Sequence, residues 1–566
     1  MRRRIAGTLK TWRPALFDCL PAYSRAVWSA DVVAGLTVGV VALPLALAFG
    51  IASGVTPAAG VYTAVVGGAI VAILGGSRRQ IAGPTGAFVV IVAGIIAKHG
   101  LSGLLMVTMM AGVILIGLAL TGLAQAVRFI PRPVVLGFTN GIALLIASTQ
   151  LKDFFGLRPA ADPSEFFARM AALGQALATL HVPALAIGIG ALALVVAVPR
   201  RFPRMPGSIV ALAGAAFSVW ALALPVETIG SRFGSLAATL PGVELPTFRA
   251  DLILPLLPEA LTVAFLAAVE SLLSAVVADT MTGDRHNAHA EVLAQGVANL
   301  VVPIIGGIPV TGAIARTATN VRAGGQTPVA ALVHAGTLAL IVLVAAPLAG
   351  YVPLAALAAV LFVVAYHMGE WHEVPAILKL DWPDKSVWLI TFALTVMADL
   401  TIAVEVGIAL AALLYIHRVT DTTSVSRVTP EYIEASRPHV LQGKVVPPYV
   451  TILRIHGPFL FGMTEKLLDA TENLAPFGSI VVLRLRNMTA IDLTGLHALE
   501  ALCDRLKKSG RTMLLCGARR QPARFLHRAE FVDHVGKDNI LPHVEAALVR
   551  AAALHEAAST PGPAAV

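Results

Sequence analysis

Glu270 and Arg316 are the charged residues whose surroundings give them the most to do. Glu270 lies inside an apolar run, residues 257–278, and Ser274 follows one helical turn later on the same face. A carboxyl in such a segment points to function by default, because it can load and release a proton. The alternative is a protonated carboxyl that merely hydrogen-bonds two helices together. Arg316 sits in a second apolar region, where a guanidinium costs roughly 2.5–3.5 kcal/mol near a bilayer centre. It can bind an anion, neutralise Glu270 as a structural pair, or do both; a charge that shapes an anion site is favoured over bidentate contact. No nucleophile–base pair, metal-ligand cluster or phosphate loop rises above chance spacing, so no enzyme, metal site or cofactor is expected.

Arg316 belongs to GGIPVTGAIARTATNVRAGG, residues 306–325. Gly306, Gly307 and Pro309 break a helix at its start, and Arg316 and Arg322 forbid a lipid-facing span. The stretch predicts an extended lead at membrane depth, then a short helix from Thr311 or Gly312. Such a helix aims unpaired N–H groups and roughly half a positive charge at whatever lies in front of it, which suits an anion. GPTGA at 83–87 echoes it: Thr85, Gly86 and Ala87 match Thr311, Gly312 and Ala313 residue for residue. Two broken segments in corresponding places of two halves point to a transporter site at a repeat interface. A tight crossing of helices would also need small residues. Phe49, just after Pro44, either lines that site or simply packs.

The chain has 566 residues, 57% hydrophobic and 13% charged, with mean hydropathy +0.79 and a formal net charge of +9. That composition excludes a soluble globular protein and specifies a polytopic protein of the lipid bilayer. No basic stretch is interleaved with aromatics, so the charge is read as cytoplasmic loops and no nucleic-acid partner is expected. Cys19, Cys503 and Cys516 fall in segments assigned to the cytosol, which argues against a disulfide framework. The opening MRRR begins a basic cytosolic lead-in, residues 1–30. Pro14, Asp18, Pro21 and Arg25 interrupt any signal-peptide core.

Apolar segments fill residues 31–418. They are 31–52, interrupted by Pro44, then 57–75, a half-helix 85–96, 101–123, 134–151, 182–198 and 207–224. An amphipathic stretch at 164–180 and a polar loop at 225–251 are external. The second half holds 257–278, 288–305, the broken segment, 328–349, 353–367 and a run 386–416 long enough for two short helices, with Asp399 at their junction. This gives about fourteen segments in two sets of seven, repeats 31–224 and 252–418, and the odd number inverts the second set. Arg2, Arg3, Arg4, Arg78, Arg79, Arg128, Arg200, Arg201 and Arg285 then share one side, the cytoplasm, with both termini.

Residues 439–555 change character. Strands at 450–455, 480–485 and 512–516 alternate with a helix marked by Leu493, Leu496, Leu499, Leu502 and Leu506 and ended by Gly510. This is a small α/β domain, followed by a disordered tail, 556–566. Asp492 and Thr494 open its long helix, either as a plain capped N-terminus or as a regulatory phosphorylation point.

ALPLALAFG from Ala42, GPTGAF from Gly83, ESLLSAVVADTMTG from Glu270, the 306–325 stretch and the Asp492-Leu493-Thr494-Gly495 motif together resemble the SulP/SLC26 anion transporters. The resemblance covers almost the whole chain. It implies a polytopic α-helical membrane protein of seven-plus-seven inverted repeats, with a core domain moving against a gate domain. It also implies a homodimer and a small cytosolic α/β STAS domain open to a cytosolic protein partner. By motif position the substrate site is Thr85, Gly86, Ala87, Gly312, Ala313, Ala315 and Arg316, with Leu45 and Phe49 from the first helix. Glu270 stands opposite, with Ser274, as the proton-coupling group. Leu45 replaces a frequent Gln and Ala315 a frequent Ser. Ile314 stands where a sodium-coupled bicarbonate member has a Thr that helps to hold sodium, and Glu270 replaces an Asp. These departures resemble the proton-coupled bacterial branch, which includes dicarboxylate carriers. The expectation is proton-coupled uptake of sulfate, or a related anion such as a C4-dicarboxylate or bicarbonate, across a bacterial inner membrane. The alternatives are an anion exchanger, a sodium-coupled bicarbonate transporter, a nucleobase carrier and a STAS-based membrane sensor.

Overall fold

The computed structural model describes residues 12–122, 131–161, 163, 165–202, 205–234, 249–398, 400–428, 446–461 and 463–559. Arg2, Arg3, Arg4, Arg128, Asp399, Ser164 and residues 560–566 of the tail lie outside them, as does most of the 225–251 loop. The chain divides into two compact units, Met1–Ala411 and Ala412–Val566.

The first unit is helical. Its first half runs α1 (Arg25–Ala52), α2 (Pro57–Leu74), β1 (Ala82–Gly83), α3 (Gly86–Thr121), α4 (Arg132–Phe155), α5 (Phe166–Gln175), α6 (Val182–Arg201) and α7 (Gly207–Leu222). Its second half runs α8 (Ile253–Thr282), α9 (Ala288–Val301), β2 (Thr311–Gly312), α10 (Ile314–Arg322), α11 (Pro328–Ala349), α12 (Leu354–Met368), α13 (Trp382–Met397) and α14 (Leu400–Thr422), which continues into the second unit. Among the described residues, eight helices are long and apolar enough to cross a membrane. At Gly100 the backbone of α3 leaves helical geometry (φ 69°, ψ −177°), so it is a half-helix followed by a full span. With α3 counted twice and the amphipathic α5 set aside, seven elements stand in each half.

Two sequence expectations are corrected. Pro44 does not break α1, which continues through it to Ala52; neighbouring helices make such prolines tolerable in a membrane. The second half-helix begins at Ile314, while Thr311 and Gly312 are extended and pair antiparallel with β1, Ala82 against Gly312 and Gly83 against Thr311. The threonine echo is therefore out of structural register. Thr85 is the residue before α3, whereas Thr311 lies two residues ahead of Ala313, which holds that place before α10.

This two-stranded clasp is irregular backbone deep in the protein, and such backbone survives only where every polar group finds a partner. Asn299 of α9 imitates a third strand: its Oδ1 accepts from Val310 N at 2.9 Å and its Nδ2 donates to Val310 O at 2.9 Å. Ile308 N donates to Thr63 Oγ1 (2.8 Å), Gly312 N to Ser271 Oγ (2.9 Å) and Ile81 N to Thr317 Oγ1 (3.0 Å).

The second unit contains one sheet. β3 (Ser424–Arg427) lies antiparallel to β4 (Val450–Phe459), and β5 (Ile480–Ile491), β6 (Thr512–Cys516) and β7 (Ile540–Leu541) continue in parallel. Period-two alternation sorts the strands between two cores. Val481, Leu483 and Leu485 meet Leu496, Leu499 and Leu506 of α15 (Leu493–Lys508) on one face. Val482 and Leu514 meet Val544, Ala547 and Ala551 of α16 (Val544–Ser559) on the other. That last helix includes residues 556–559, which the sequence assigned to the tail. Burial pushes the Cys516 thiol up to about 11, so it packs as an inert apolar group.

Asn299→Ala should strand both polar groups of Val310 in a dry interior, a loss of about 2–4 kcal/mol. A fall of several degrees in the melting midpoint of the purified protein is expected. An unshifted midpoint would show that the clasp does not depend on Asn299.

Candidate functional site

In front of the clasp, the starts of α3 and α10 open onto one cavity of about 420 Å³. Leu45, Phe49, Thr85, Gly86, Glu270, Gly312, Ala313, Ala315 and Arg316 all line it. Two predicted residues do not. Ala87 is 1% exposed and faces the core, and Ser274 is fully buried, its Oγ 2.9 Å from Thr317 Oγ1. Ser274 braces α10 from behind rather than meeting a ligand. Sequence reasoning missed the opposite wall: Val134, Phe138 and Thr139 of α4, Val363, His367 and Met368 of α12, and Glu370 beyond it. These positions sit in ordinary apolar spans, so residue type carried no signal; His367 read as the end of a span.

Neither half-helix has a side-chain cap at its N-terminus. Thr85, placed to cap α3, instead donates its hydroxyl to Glu270 Oε2 at 2.7 Å. The leading N–H groups and the positive ends of both dipoles are thus left for a ligand. Arg316 is 3% exposed, and its Nη2 donates to the carbonyl of Pro84. Among the described residues its Nη1 has no hydrogen-bond partner, and Glu270 forms no ion pair with it within 4 Å. Arg316 and Glu270 therefore share the cavity as separate charges without a contact ion pair. Gly83 makes room for the guanidinium, since a Cβ there would stand 2.6 Å from Nη1.

Other membrane carboxylates behave differently from Glu270. Glu291 accepts from Gly76 N (3.0 Å), Ser77 N (3.1 Å), Gln80 Nε2 (2.9 Å) and Gln295 Nε2 (3.1 Å). Asp31 accepts from Gln326 N, Thr327 N, Thr327 Oγ1 and Tyr23 OH. These two are saturated and structural, while Glu270 has one donor and faces the cavity. In the second unit Asp492 caps α15, accepting from Gly495 N at 2.8 Å, and its other oxygen accepts from Phe461 N at 2.9 Å. Thr494 is exposed on the first turn.

A family model described as the sulfate permease family matches residues 28–391, and a STAS domain model matches residues 444–547. The chain belongs to the sulfate permease family. A Bacillus subtilis protein named as a candidate sulfate transporter, YvdB, is 37% identical over 523 residues, 92% of this chain and 97% of that protein. The bicarbonate transporter BicA of Picosynechococcus is 29% identical over 545 residues, covering 92% and 94% of the two chains. The solved structure of SLC26A9 superposes with a TM-score of 0.86 over 98% of this chain and 95% of its own, at 17% identity, which speaks for the fold. A sulfate permease fold of two inverted sets of seven, with a STAS domain, is what the elements above describe.

Gly83→Ala should push the guanidinium out of its cradle and weaken anion binding about tenfold. Stabilisation of the detergent-solubilised protein by sulfate, bicarbonate, chloride and fumarate measures this. Unchanged stabilisation would show that the Gly83 space is incidental.

Proposed function

We propose that this sulfate permease family member is a secondary active transporter that takes up a small inorganic oxyanion together with a proton. The carrying observation is the buried Arg316 guanidinium, with an unpartnered Nη1, beside two uncapped helix N-termini on one cavity. All three features attract negative charge, and a cavity of about 420 Å³ admits a small anion and water. The names sulfate transporter and bicarbonate transporter, carried by relatives that each match 92% of this chain, support an oxyanion substrate.

Glu270 is the proposed proton carrier. A negative charge there repels the anion, and a proton removes that repulsion, so anion and proton bind cooperatively by the same factor in each direction. Sodium is disfavoured, because Ile314 and Ala315 present no side-chain oxygen to the cavity. The proposed setting is the bacterial inner membrane, as a homodimer with both termini cytosolic. The second unit serves there as a regulatory STAS domain with Asp492 and Thr494 at its recognition point.

Arg316→Ala should lower anion affinity about 10- to 100-fold in folded protein, since hydrogen bonds to a charged group are worth about 1.5–3 kcal/mol. Isothermal titration checks this, and wild-type affinity would remove Arg316 from the site. In proteoliposomes, uptake should quicken as external pH falls and ignore sodium. Glu270→Gln should still exchange anion but no longer concentrate it. Sodium-dependent uptake indifferent to pH would overturn proton coupling.

A further inference from the structure

The wall of the cavity opposite Arg316 holds a histidine that the proposed transport cycle leaves unused. His367 ends α12 and lines the cavity. Its Nδ1 lies 2.8 Å from Val363 O. A backbone carbonyl only accepts, so Nδ1 carries the hydrogen, and in the neutral ring Nε2 is then an acceptor. Among the described residues Nε2 has no hydrogen-bond partner, and the ring is exposed. On the same wall Thr139 donates its hydroxyl to Leu136 O (3.2 Å), and Glu370 is drawn toward Arg132 (3.5 Å).

We propose that His367 is a specificity-determining residue: its Nε2 accepts a hydrogen bond from a bound anion that carries an O–H, such as bicarbonate, and favours it over anions without one. This rests on the anion-transport reading above. The Arg316 wall offers donors, namely the guanidinium and the helix N–H groups, which suit the bare oxygens of any oxyanion alike. With Glu270 holding the coupled proton, that wall presents chiefly donors, because the acceptor oxygen of Glu270 that faces Thr85 is already engaged. A ligand O–H then finds its acceptor across the cavity, on His367. An anion lacking the O–H leaves Nε2 facing bare oxygen lone pairs, a mismatch that costs affinity. The charged groups that share the surroundings of His367 are Glu270 and Arg316 across the cavity, Glu370 on its own wall, and Arg132 and Glu373 joined to Glu370's side (3.0 Å between those two). Tyr366 packs edge-on against the ring.

The test is uptake of ¹⁴C-bicarbonate and ³⁵S-sulfate at pH 8 by the full-length protein in proteoliposomes. His367→Phe, which keeps a ring but no nitrogen, should raise the ratio of the bicarbonate KM to the sulfate KM about tenfold. His367→Gln, whose amide restores an acceptor, should recover most of that ratio. Where the Phe variant loses its folded peak on size exclusion, His367→Met takes its place. Uptake of bicarbonate and not sulfate is the extreme of the expected preference. An unchanged KM ratio, or equal ratios in the Phe and Gln variants, overturns the inference. So does a wild type that carries sulfate but not bicarbonate, which leaves anion transport standing. A wild type that takes up neither overturns both.

Discussion

Every backbone N–H and C=O at membrane depth must be answered inside the protein, because hydrocarbon answers none. The clasp of Ala82–Gly83 against Thr311–Gly312 exists under that constraint, and the surrounding polar residues follow from it. Asn299, Thr63, Ser271 and Thr317 each satisfy a backbone group of the broken segments. Their hydroxyls and amide are too short to reach far, so α2, α8 and α9 are drawn close around the crossing. Small residues allow the approach. A Cβ on Gly312 would stand 2.2 Å from Gln80 Nε2, and one on Gly67 would stand 2.4 Å from a Val310 methyl. The accounting stops at the leading turns of α3 and α10, which no side chain caps. Those leading turns open onto the cavity that Arg316 also lines, where their N–H groups are available to an anion.

Much of this was legible in the sequence, and the reasons are local. Gly306, Gly307 and Pro309 cannot continue a helix, and Arg316 cannot face lipid, so the broken segment and its anion preference follow from residue type alone. The strands and long helix of the second unit follow from periodicity, with 512–516 matched in full. What the sequence could not show is how the pieces face one another. Thr311-Gly312-Ala313 and Thr85-Gly86-Ala87 look equivalent as text, yet antiparallel pairing shifts one by two residues against the other. Ser274 shares a helix face with Glu270, but α10 crosses that face and covers it. Val134, Phe138 and His367 became cavity residues only through the packing of α4 and α12, which no spacing rule encodes.

The carboxylates show why burial alone is a poor guide to function. Asp31, Glu291 and Glu270 all sit in membrane helices, Asp31 and Glu291 near the ends of their apolar segments and Glu270 in the interior of its own. Asp31 and Glu291 hold loop backbone in place with several hydrogen bonds each, so a proton on either would break a structural junction. Glu270 can change charge at the cost of adjusting one threonine hydroxyl. The proton carrier proposed for this chain therefore sits where its neighbours tolerate both protonation states.

The same economy extends to the two walls of the cavity. The hydrogen bonds of the clasp join α2, α8, α9 and α10 to one another, and Thr85 ties α3 to α8. On the other side Asn140 of α4 binds the Gly369 carbonyl and accepts from Trp388 of α13 at 2.8 Å, and Arg132 bridges Glu370 and Glu373. Each of these networks is closed within its own wall. Across the cavity the facing groups are chiefly apolar: Leu45, Phe49 and Phe265 against Phe138, Val363 and Met368. Apolar contacts have no donor–acceptor register to break, so two such bodies can slide with little loss, whereas a seam of hydrogen bonds would lock them. Polar order inside each wall and apolar contact between them would suit the proposed transport cycle, in which one wall carries the anion past the other.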